Sequence, residues 1–177
     1  MNEQYNLVNQ INYGIALGSN LGNRLSNLRQ AKRLLLHHCP NPGEATFSPI
    51  YETQPVNCSL EANNFLNAVA NLPLSLSPKD ALNLCMRIES TFDRPEKREK
   101  NTPRTIDLDI IYAGSITHNS KHLTIPHPRL YDRRFVLEPL SIIMPALVLG
   151  NPKKTILQHL NDIKSSEPPL IKITNNW

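Results

Sequence analysis

The feature that most constrains the fold is the alternation of apolar and polar residues over positions 105–110. A period of two is typical of a β-strand, in which successive side chains point to opposite faces. The apolar residues on one face are Ile106, Leu108 and Ile110. Asp107 and Asp109 project together from the other face, about 6.8 Å apart between Cα atoms. The pattern predicts a strand, continuing to residue 112, whose apolar face packs on the core and whose other face carries two carboxylates.

The surrounding sequence predicts three more strands and two helices. The strands are expected over residues 11–17, 46–51 and 65–72. One helix follows the turn Gly18-Ser19-Asn20, and another begins at Ser77, where a capping hydroxyl precedes proline. The order strand, helix, strand, strand, helix, strand predicts an α+β fold of the ferredoxin-like βαββαβ type, with helices on one face of a mostly antiparallel sheet.

The length of 177 residues suits a single domain. We expect its core to span about residues 11–150, with residues 151–177 forming a C-terminal helix and tail. Prolines predict an extended conformation over residues 123–128. Helices are predicted over residues 129–143 and 152–163.

Composition excludes several classes of protein. The chain is 40% hydrophobic and 19% charged, as in an ordinary globular domain, and no segment has the roughly 20 apolar residues of a membrane span. The N-terminal residues lack the basic and apolar regions of a secretory signal, so we expect a cytoplasmic protein. Cys39, Cys58 and Cys85 have the wrong number and spacing for a disulfide framework or a zinc site. The net charge of +4 favours anionic partners.

The two aspartates on one strand face need a source of positive charge. At an effective dielectric constant of 20, two unit charges about 5 Å apart repel by roughly 3 kcal/mol. A divalent cation would reverse this term, and magnesium prefers carboxylate and phosphate oxygens. The alternative is a surface salt-bridge cluster in which Arg104 and nearby lysines neutralise the pair. The basic segment directly upstream favours magnesium, since arginines and magnesium together neutralise a bound polyphosphate.

Two further groups of residues are candidates for ligand binding. Residues 93–103 form a long, highly charged segment, which predicts a lid over a nucleotide; the alternative is a solvated charge run. Phe65 and Asn67 share a strand face and, with Phe135, would suit a flat heterocycle that is stacked and read at its edge. Each phenylalanine taken alone is more often a core residue. His127 lies between two prolines, ahead of several arginines.

Five short segments stand out for their order and spacing along the chain. They are Gly18-Ser19-Asn20-Leu21-Gly22, Ser48-Pro49-Ile50-Tyr51-Glu52-Thr53, Phe65-Leu66-Asn67, Pro103-Arg104-Thr105-Ile106-Asp107-Leu108-Asp109-Ile110-Ile111 and Pro126-His127-Pro128-Arg129. Over roughly residues 11–150 the chain resembles the 6-hydroxymethyl-7,8-dihydropterin pyrophosphokinase family of folate biosynthesis. The segment from Pro103 is the most specific of the five, and the glycine turn is the least specific.

The resemblance implies a reaction and a catalytic set. Diphosphate would pass from ATP to the hydroxymethyl oxygen of the pterin and leave AMP, with two magnesium ions held by Asp107 and Asp109. Arg94, in the mobile loop of the family, and Arg104 would complete the catalytic residues. The implied partners are the pterin and ATP, with no nucleic acid and no membrane, and we expect a monomer.

The resemblance also implies which residues contact each substrate. Those that correspond to the pterin pocket are Thr53, Val56, Phe65, Asn67 and Phe135. Those on the nucleotide side are Glu89, Arg104, Ile110, Thr124, His127 and Arg133. The chain departs from the family pattern at four loop or nucleotide-side positions, namely Glu96, Asn101, Thr102 and His122.

Two other classes of protein share parts of this pattern. A nucleotidyl transferase of the polymerase-palm type can carry paired aspartates on a similar fold, although it usually needs a further acidic ligand and domains for a template. A non-enzymatic RNA-binding module of the same fold typically presents aromatic residues on its central strands, where this chain has aspartates. Release of AMP would distinguish the implied reaction from both.

Overall fold

A computed structural model of the chain describes residues 10–54, 63–92, 104–150, 152–164 and 169–177. The described strands are β1 (Ile11–Ser19), β2 (Thr46–Phe47), β3 (Ile50–Thr53), β4 (Phe65–Leu74), β5 (Asp107–Ala113), β6 (His118–Asn119), β7 (Thr124–Ile125), β8 (Val148–Leu149), β9 (Lys154–Thr155) and β10 (Ile171–Thr174). The described α-helices are α1 (Arg24–His37), α2 (Pro78–Ser90), α3 (Arg134–Ile143) and α4 (Ile156–Asp162). Short 3₁₀ helices cover Pro42–Glu44 and Leu130–Asp132.

The main sheet has the strand order β10-β3-β4-β1-β5, and β2 also pairs with β4. Each of these neighbouring pairs is antiparallel. The four strands β3, β4, β1 and β5, with α1 and α2 as crossovers, have the topology of a βαββαβ sandwich. The predicted α+β, ferredoxin-like fold is therefore confirmed. The C-terminal strand β10 extends the sheet beyond β3, an addition that the sequence did not predict.

Local signals explain where the two crossover helices begin. Asn23 caps α1 by accepting a hydrogen bond from the backbone amide of Ser26. Ser77 caps α2 by accepting from the amide of Asp80, and Pro78 occupies the first helical position, as predicted. Both helices cover the sheet face that carries Leu17, Leu108 and other core residues. The cap residues thus determine where the two helices that pack on this face begin.

The predicted strand over residues 46–51 is interrupted between β2 and β3. Ser48 donates its amide to the carbonyl oxygen of Val69 at 2.9 Å, and its hydroxyl oxygen accepts from the Val69 amide at 2.9 Å. Pro49 has no amide to donate, so regular pairing stops there. The side chain of Ser48 replaces a ladder hydrogen bond at the break.

The second face of the sheet is covered in part by α3 and α4. Their apolar residues pack with Val69 and Ile111 in a separate cluster. The prediction of helices on one face was therefore incomplete, and the uncovered part of this face forms a cleft. Among the described residues, no helix combines the length and hydrophobicity of a membrane span.

Two predicted C-terminal helices differ from the observed elements. The helix predicted over 129–143 is a 3₁₀ turn followed by α3, with Arg133 in an extended conformation (φ −113°, ψ 103°) between them. The helix predicted over 152–163 begins later, as α4, because the β8–β9 hairpin precedes it. Gly150 allows that hairpin to turn, since its φ of +88° lies in the region that favours glycine.

A close approach of Tyr112 requires glycine at position 14. A Cβ atom there would lie 2.1 Å from Tyr112 Cε1, because this ring crosses β1 so that the hydroxyl donates to Asn71 Oδ1 at 2.8 Å. We therefore expect Gly14→Ala to destabilise the protein by about 1–3 kcal/mol, the usual cost of overpacking. Chemical denaturation measures this loss. Gly43→Ala is the control, because no atom lies within 4 Å of its added Cβ, and equal stability losses would contradict the explanation.

Candidate active site

The cleft on the second sheet face has a volume of about 560 Å³. Its floor is the central strand β1, where Ala16 pairs with Asp109 and Gly18 pairs with Asp107 on β5. On its other side, Gly18 pairs with Asn67 of β4. A Cβ at position 18 would lie 3.2 Å from Asn67 Oδ1, so a larger side chain there would fill part of the cleft. The cleft exists because β1 has only small side chains, Ala16 and Gly18, on this face.

One wall of the cleft carries the two aspartates. Arg104 Nη1 lies 2.6 Å from Asp107 Oδ2, and Arg133 Nη1 lies 3.8 Å from Asp109 Oδ2. The Asp109 side chain still exposes 43% of its surface, so it is open to a ligand. Burial and then the neighbouring Asp107 charge raise the pKa of Asp109, against the opposing effect of Arg133, Arg104 and Arg129. The arginines thus neutralise the pair only in part.

The donor set of this wall fits a magnesium ion that brings its own oxygen ligands. The two carboxylates share a strand face and supply hard oxygen ligands, as magnesium requires. Among the described residues, no group of three or more histidine, cysteine, aspartate or glutamate side chains could hold a metal ion. A cation here would need further oxygens from water or substrate phosphate. The buried Arg104 Nε has no hydrogen-bond partner within the described part of the chain, which suits an anionic ligand.

The other wall presents aromatic and amide groups. Asn67 is 7% exposed, and its Nδ2 donates to Thr53 Oγ1 at 2.7 Å. Phe65 pairs with Thr53 across β4 and β3, and Phe135 enters from the first turn of α3. All four residues line the cleft that also contains the aspartates. The predicted pterin-side residues within the described ranges therefore come together.

Sequence comparisons place these residues in a known family. Residues 14–145 match the family described as 7,8-dihydro-6-hydroxymethylpterin-pyrophosphokinase (HPPK). The chain belongs to this family. A Bacillus subtilis member, 2-amino-4-hydroxy-6-hydroxymethyldihydropteridine pyrophosphokinase, is 42% identical over 136 residues, which cover 77% of this chain and 79% of that protein. The predicted family and enzyme class, a pyrophosphokinase of folate biosynthesis, are confirmed.

Several relatives of the HPPK family are longer proteins. The Arabidopsis thaliana folate synthesis bifunctional protein is 37% identical over 145 residues, which cover 82% of this chain but 29% of that protein. A solved structure of a Plasmodium falciparum HPPK-DHPS triple mutant with pteroate has a TM-score of 0.63 at 14% identity, over 86% of this chain and 43% of that one. The structural likeness shows the shared fold. This chain spans less than half of these two longer relatives.

Within this HPPK chain, His127 is held by backbone hydrogen bonds. Its amide donates to the carbonyl oxygen of Ile111 at 2.9 Å, and its Nδ1 accepts from the amide of Arg129 at 3.1 Å. The neutral ring therefore carries its proton on Nε2. Burial, followed by the charges of Arg133 and Arg129, lowers the pKa of His127 to about 4. The imidazole is uncharged at neutral pH.

The low pKa of His127 predicts how the free energy of unfolding changes in acid. An unfolded histidine has a pKa near 6.5, so between pH 6.5 and about 4 the unfolded chain binds more protons at this residue. His127 therefore lowers stability as the pH falls through that window. In His127→Asn, whose side-chain oxygen can accept from Arg129, the slope of unfolding free energy against pH should be smaller by up to about one proton.

Chemical denaturation at several pH values, on wild type and variant together, measures this difference. The wild type and the variant are compared because Asp109, whose pKa is raised, changes the unfolding free energy with pH in the opposite direction. Asp109 is present in both proteins, so the difference between them isolates His127. Parallel pH profiles would contradict the placement of a neutral, half-buried His127.

Three residues predicted on the nucleotide side do not line the cleft. Glu89 is 5% exposed on α2 and accepts from the backbone amide of Leu108 at 2.9 Å, on the far face of the sheet. Ile110 is 3% exposed in the core, and Thr124 lies in β7. Arg104, His127 and Arg133 do line the cleft. The assignment of all these residues to the nucleotide remains a prediction.

Some predicted positions lie outside the described residues. They are Arg94, Val56, Glu96, Asn101 and Thr102. The predicted lid over residues 93–103 is outside them as well.

The cleft is also lined by residues that the sequence patterns did not assign to either substrate. They are Ala16, Leu17, Gly18, Gln54, Ala68, Ile111, Arg129, Leu130, Asp132 and Val136. The period of β5 could have identified Ile111, which continues the face of Asp107 and Asp109. Gly18 was interpreted as part of a turn, whereas it lies within β1.

The polar residues after Gly18 anchor the segment that enters β5. Ser19 donates its hydroxyl to the carbonyl oxygen of Thr105 at 2.6 Å. Asn20 accepts from the amide of Arg104 at 2.7 Å through its Oδ1, and its own amide donates to the Arg104 carbonyl oxygen at 3.1 Å. These bonds place Arg104 at the cleft, next to Asp107.

Proposed function

We propose that this chain transfers the diphosphate group of ATP to the hydroxymethyl oxygen of 6-hydroxymethyl-7,8-dihydropterin, releasing AMP, and that Asp107 and Asp109 hold two magnesium ions. Membership of the HPPK family supports the reaction. The observation that carries the residue assignment is the single cleft in which the aspartate pair lies beside Phe65, Asn67 and Phe135. The proposed cation site and the proposed heterocycle site therefore lie in the same cleft.

The pterin side of the proposal uses stacking and a fixed amide. A flat bicyclic ring lies between Phe65 and Phe135, whose faces supply apolar area at a small entropic cost. Asn67 reads the polar edge of the ring, and its hydrogen bond to Thr53 holds the amide in one orientation. Gly18 leaves the space beneath. We assign Val56 to the same pocket from the family resemblance.

The phosphate side uses the charged residues of the opposite wall. Bound magnesium would supply positive charge for the polyphosphate oxygens. Arg104 and Arg133 add guanidinium groups on either side of the aspartates, and Arg104 retains a buried Nε for an oxygen ligand. Arg94 is proposed as a further cation from the loop. Because phosphoryl transfer depends mainly on in-line positioning and charge stabilisation, these groups account for most of the acceleration.

A strong general base is not required by this arrangement. His127, with a pKa of about 4, is a poor proton acceptor at neutral pH and instead offers an Nε2–H donor. Asp107 forms an ion pair with Arg104 at 2.6 Å, so one of its carboxylate oxygens already has a cationic partner. The reaction therefore relies on alignment of the hydroxymethyl oxygen with the β-phosphorus and the leaving AMP oxygen.

The nucleoside of ATP extends beyond the cleft in this proposal. Glu89 reaches the backbone amide of Leu108 at the outer edge of β5, and β5 is the edge strand on this side of the sheet. From the family resemblance we assign Glu89, Ile110 and Thr124 to the nucleoside, around that edge, and Arg104, His127 and Arg133 to the phosphates. The monomeric state and the cytoplasmic location stay predictions.

The test of this function is the product of the reaction. Protein, magnesium ATP and the reduced pterin are mixed, and AMP is measured by chromatography; pterin is omitted in one control and magnesium is chelated in another. AMP and pterin diphosphate in equal amounts, dependent on both components, are expected. Release of inorganic diphosphate in place of AMP would support a nucleotidyl transferase and overturn the proposal.

A further inference from the structure

The C-terminal part of the chain packs against the segment that bears two arginines of the cleft. The ring of His159, on α4, lies 4.4 Å from the ring of Tyr131 between centroids, with 35° between the planes. His159 Nε2 donates to the carbonyl oxygen of Leu149, in β8, at 3.0 Å. Leu149 and Ile156 are buried in the same cluster as Leu130. The β8–β9 hairpin and α4 thus form a support behind residues 130–131.

Gly150 brings the backbone directly against both rings. A Cβ atom at this position would lie 3.0 Å from the Tyr131 hydroxyl oxygen and 3.3 Å from His159 Nε2. The Tyr131 hydroxyl is buried, and within the described part of the chain it has no hydrogen-bond partner. The Tyr131 ring is therefore held by packing against His159 and Gly150. Its hydroxyl makes no polar contact within the described residues.

Tyr131 is connected to the cleft through a short 3₁₀ turn. The turn spans Leu130–Asp132, and its flanking residues Arg129 and Arg133 both line the cleft. The Arg133 guanidinium carbon lies 5.4 Å from the centre of the Phe135 ring, and its Nη1 lies 3.8 Å from Asp109. A displacement of the turn would move both arginines. Misplacement by about 1 Å can cost an enzyme as much as a hundredfold in rate.

We infer that the Tyr131–His159 pair, closed by Gly150, positions Arg129 and Arg133 for the phosphate transfer proposed above, on which this inference rests. Tyr131 and His159 are positioning residues, since they act through the arginines. Gly150 and His159 lie beyond residues 14–145, the part of the chain that matches the HPPK family. A determinant of the reaction rate therefore lies in the C-terminal extension.

The first experiment compares His159→Ala with His159→Phe, which keeps an aromatic ring against Tyr131. Steady-state kinetics are measured well below the melting temperatures of all variants. For His159→Ala we expect kcat/KM for magnesium ATP to fall about fivefold to tenfold, and for His159→Phe we expect most of it to be retained. Leu157→Ala, an exposed position on the same helix, is the matched control with wild-type kinetics.

A second measurement separates positioning from general stability. In a background that carries both Arg129→Ala and Arg133→Ala, His159→Ala should reduce kcat/KM by less than about twofold, because both groups that it positions are gone. Full additivity of the two effects, or a lower melting temperature with unchanged kinetics, would overturn the inference. If the wild-type protein forms no AMP, the proposed function fails instead.

Hydrogen exchange tests the positioning without any turnover. The Leu130 amide donates to the carbonyl oxygen of His127 at 2.9 Å, within the supported segment. We expect this amide in the free protein to exchange at least about tenfold faster in His159→Ala than in Leu157→Ala. In His159→Ala, opening of the turn no longer has to break the contact between the rings of Tyr131 and His159. Equal exchange in the two variants would show that His159 does not hold the turn.

Discussion

Asp109→Asn is expected to reduce turnover by roughly a thousandfold, as for loss of a group that stabilises the charge of a transition state. The melting temperature of the free protein should be unchanged or higher. Burial and Asp107 raise the pKa of Asp109 in the folded state, so its ionised form costs stability at neutral pH. The amide keeps the shape of the side chain and removes this cost. Activity and stability should therefore move in different directions.

The control for this substitution is Asp162→Asn. Asp162 is an exposed carboxylate on α4 whose pKa is lowered by its hydrogen bond and ion pair with Lys154, at 2.7 Å. The same chemical change should leave turnover intact there and should not raise stability. Turnover by Asp109→Asn at the rate of the control, in the presence of magnesium, would remove Asp109 from the metal site.

Gly18→Val should weaken pterin binding strongly while the sheet remains folded. The added Cβ would lie 3.2 Å from Asn67 Oδ1 and 3.7 Å from Phe65 Cδ1, and the two methyl groups of valine would occupy the space assigned to the ring. Valine is favoured in strands, so β1 itself should tolerate it. We expect the Kd of the pterin, measured by calorimetry, to rise by at least about a hundredfold, equivalent to roughly 2.7 kcal/mol.

The matched control is Asn12→Val, which adds the same side chain at an exposed position of the same strand. It should bind the pterin as the wild type does. Wild-type affinity in Gly18→Val would place the heterocycle outside the cleft floor. Loss of folding in Gly18→Val, detected by circular dichroism, is separated from this outcome by testing Gly18→Ala, which should weaken binding less and keep the fold.

Local sequence patterns determined much of the fold. The period of two at Asp107 and Asp109 correctly placed both carboxylates on one face of β5, because side-chain direction in a strand depends only on position. The cap at Ser77 correctly predicted the start of α2, because one hydroxyl and one amide three residues apart decide it. The order of these elements was sufficient for the sandwich topology, since few alternatives bury the same faces.

The tertiary structure alone decided how the site is assembled. The low floor at Ala16 and Gly18, and the bond from Asn67 to Thr53, depend on the register between strands that are far apart in sequence, which no local period contains. The support of Tyr131 by His159 likewise joins two segments through packing. Sequence by itself therefore determined which chemical groups are present and which face each one occupies. Folding decided their distances, because distances follow from long-range contacts.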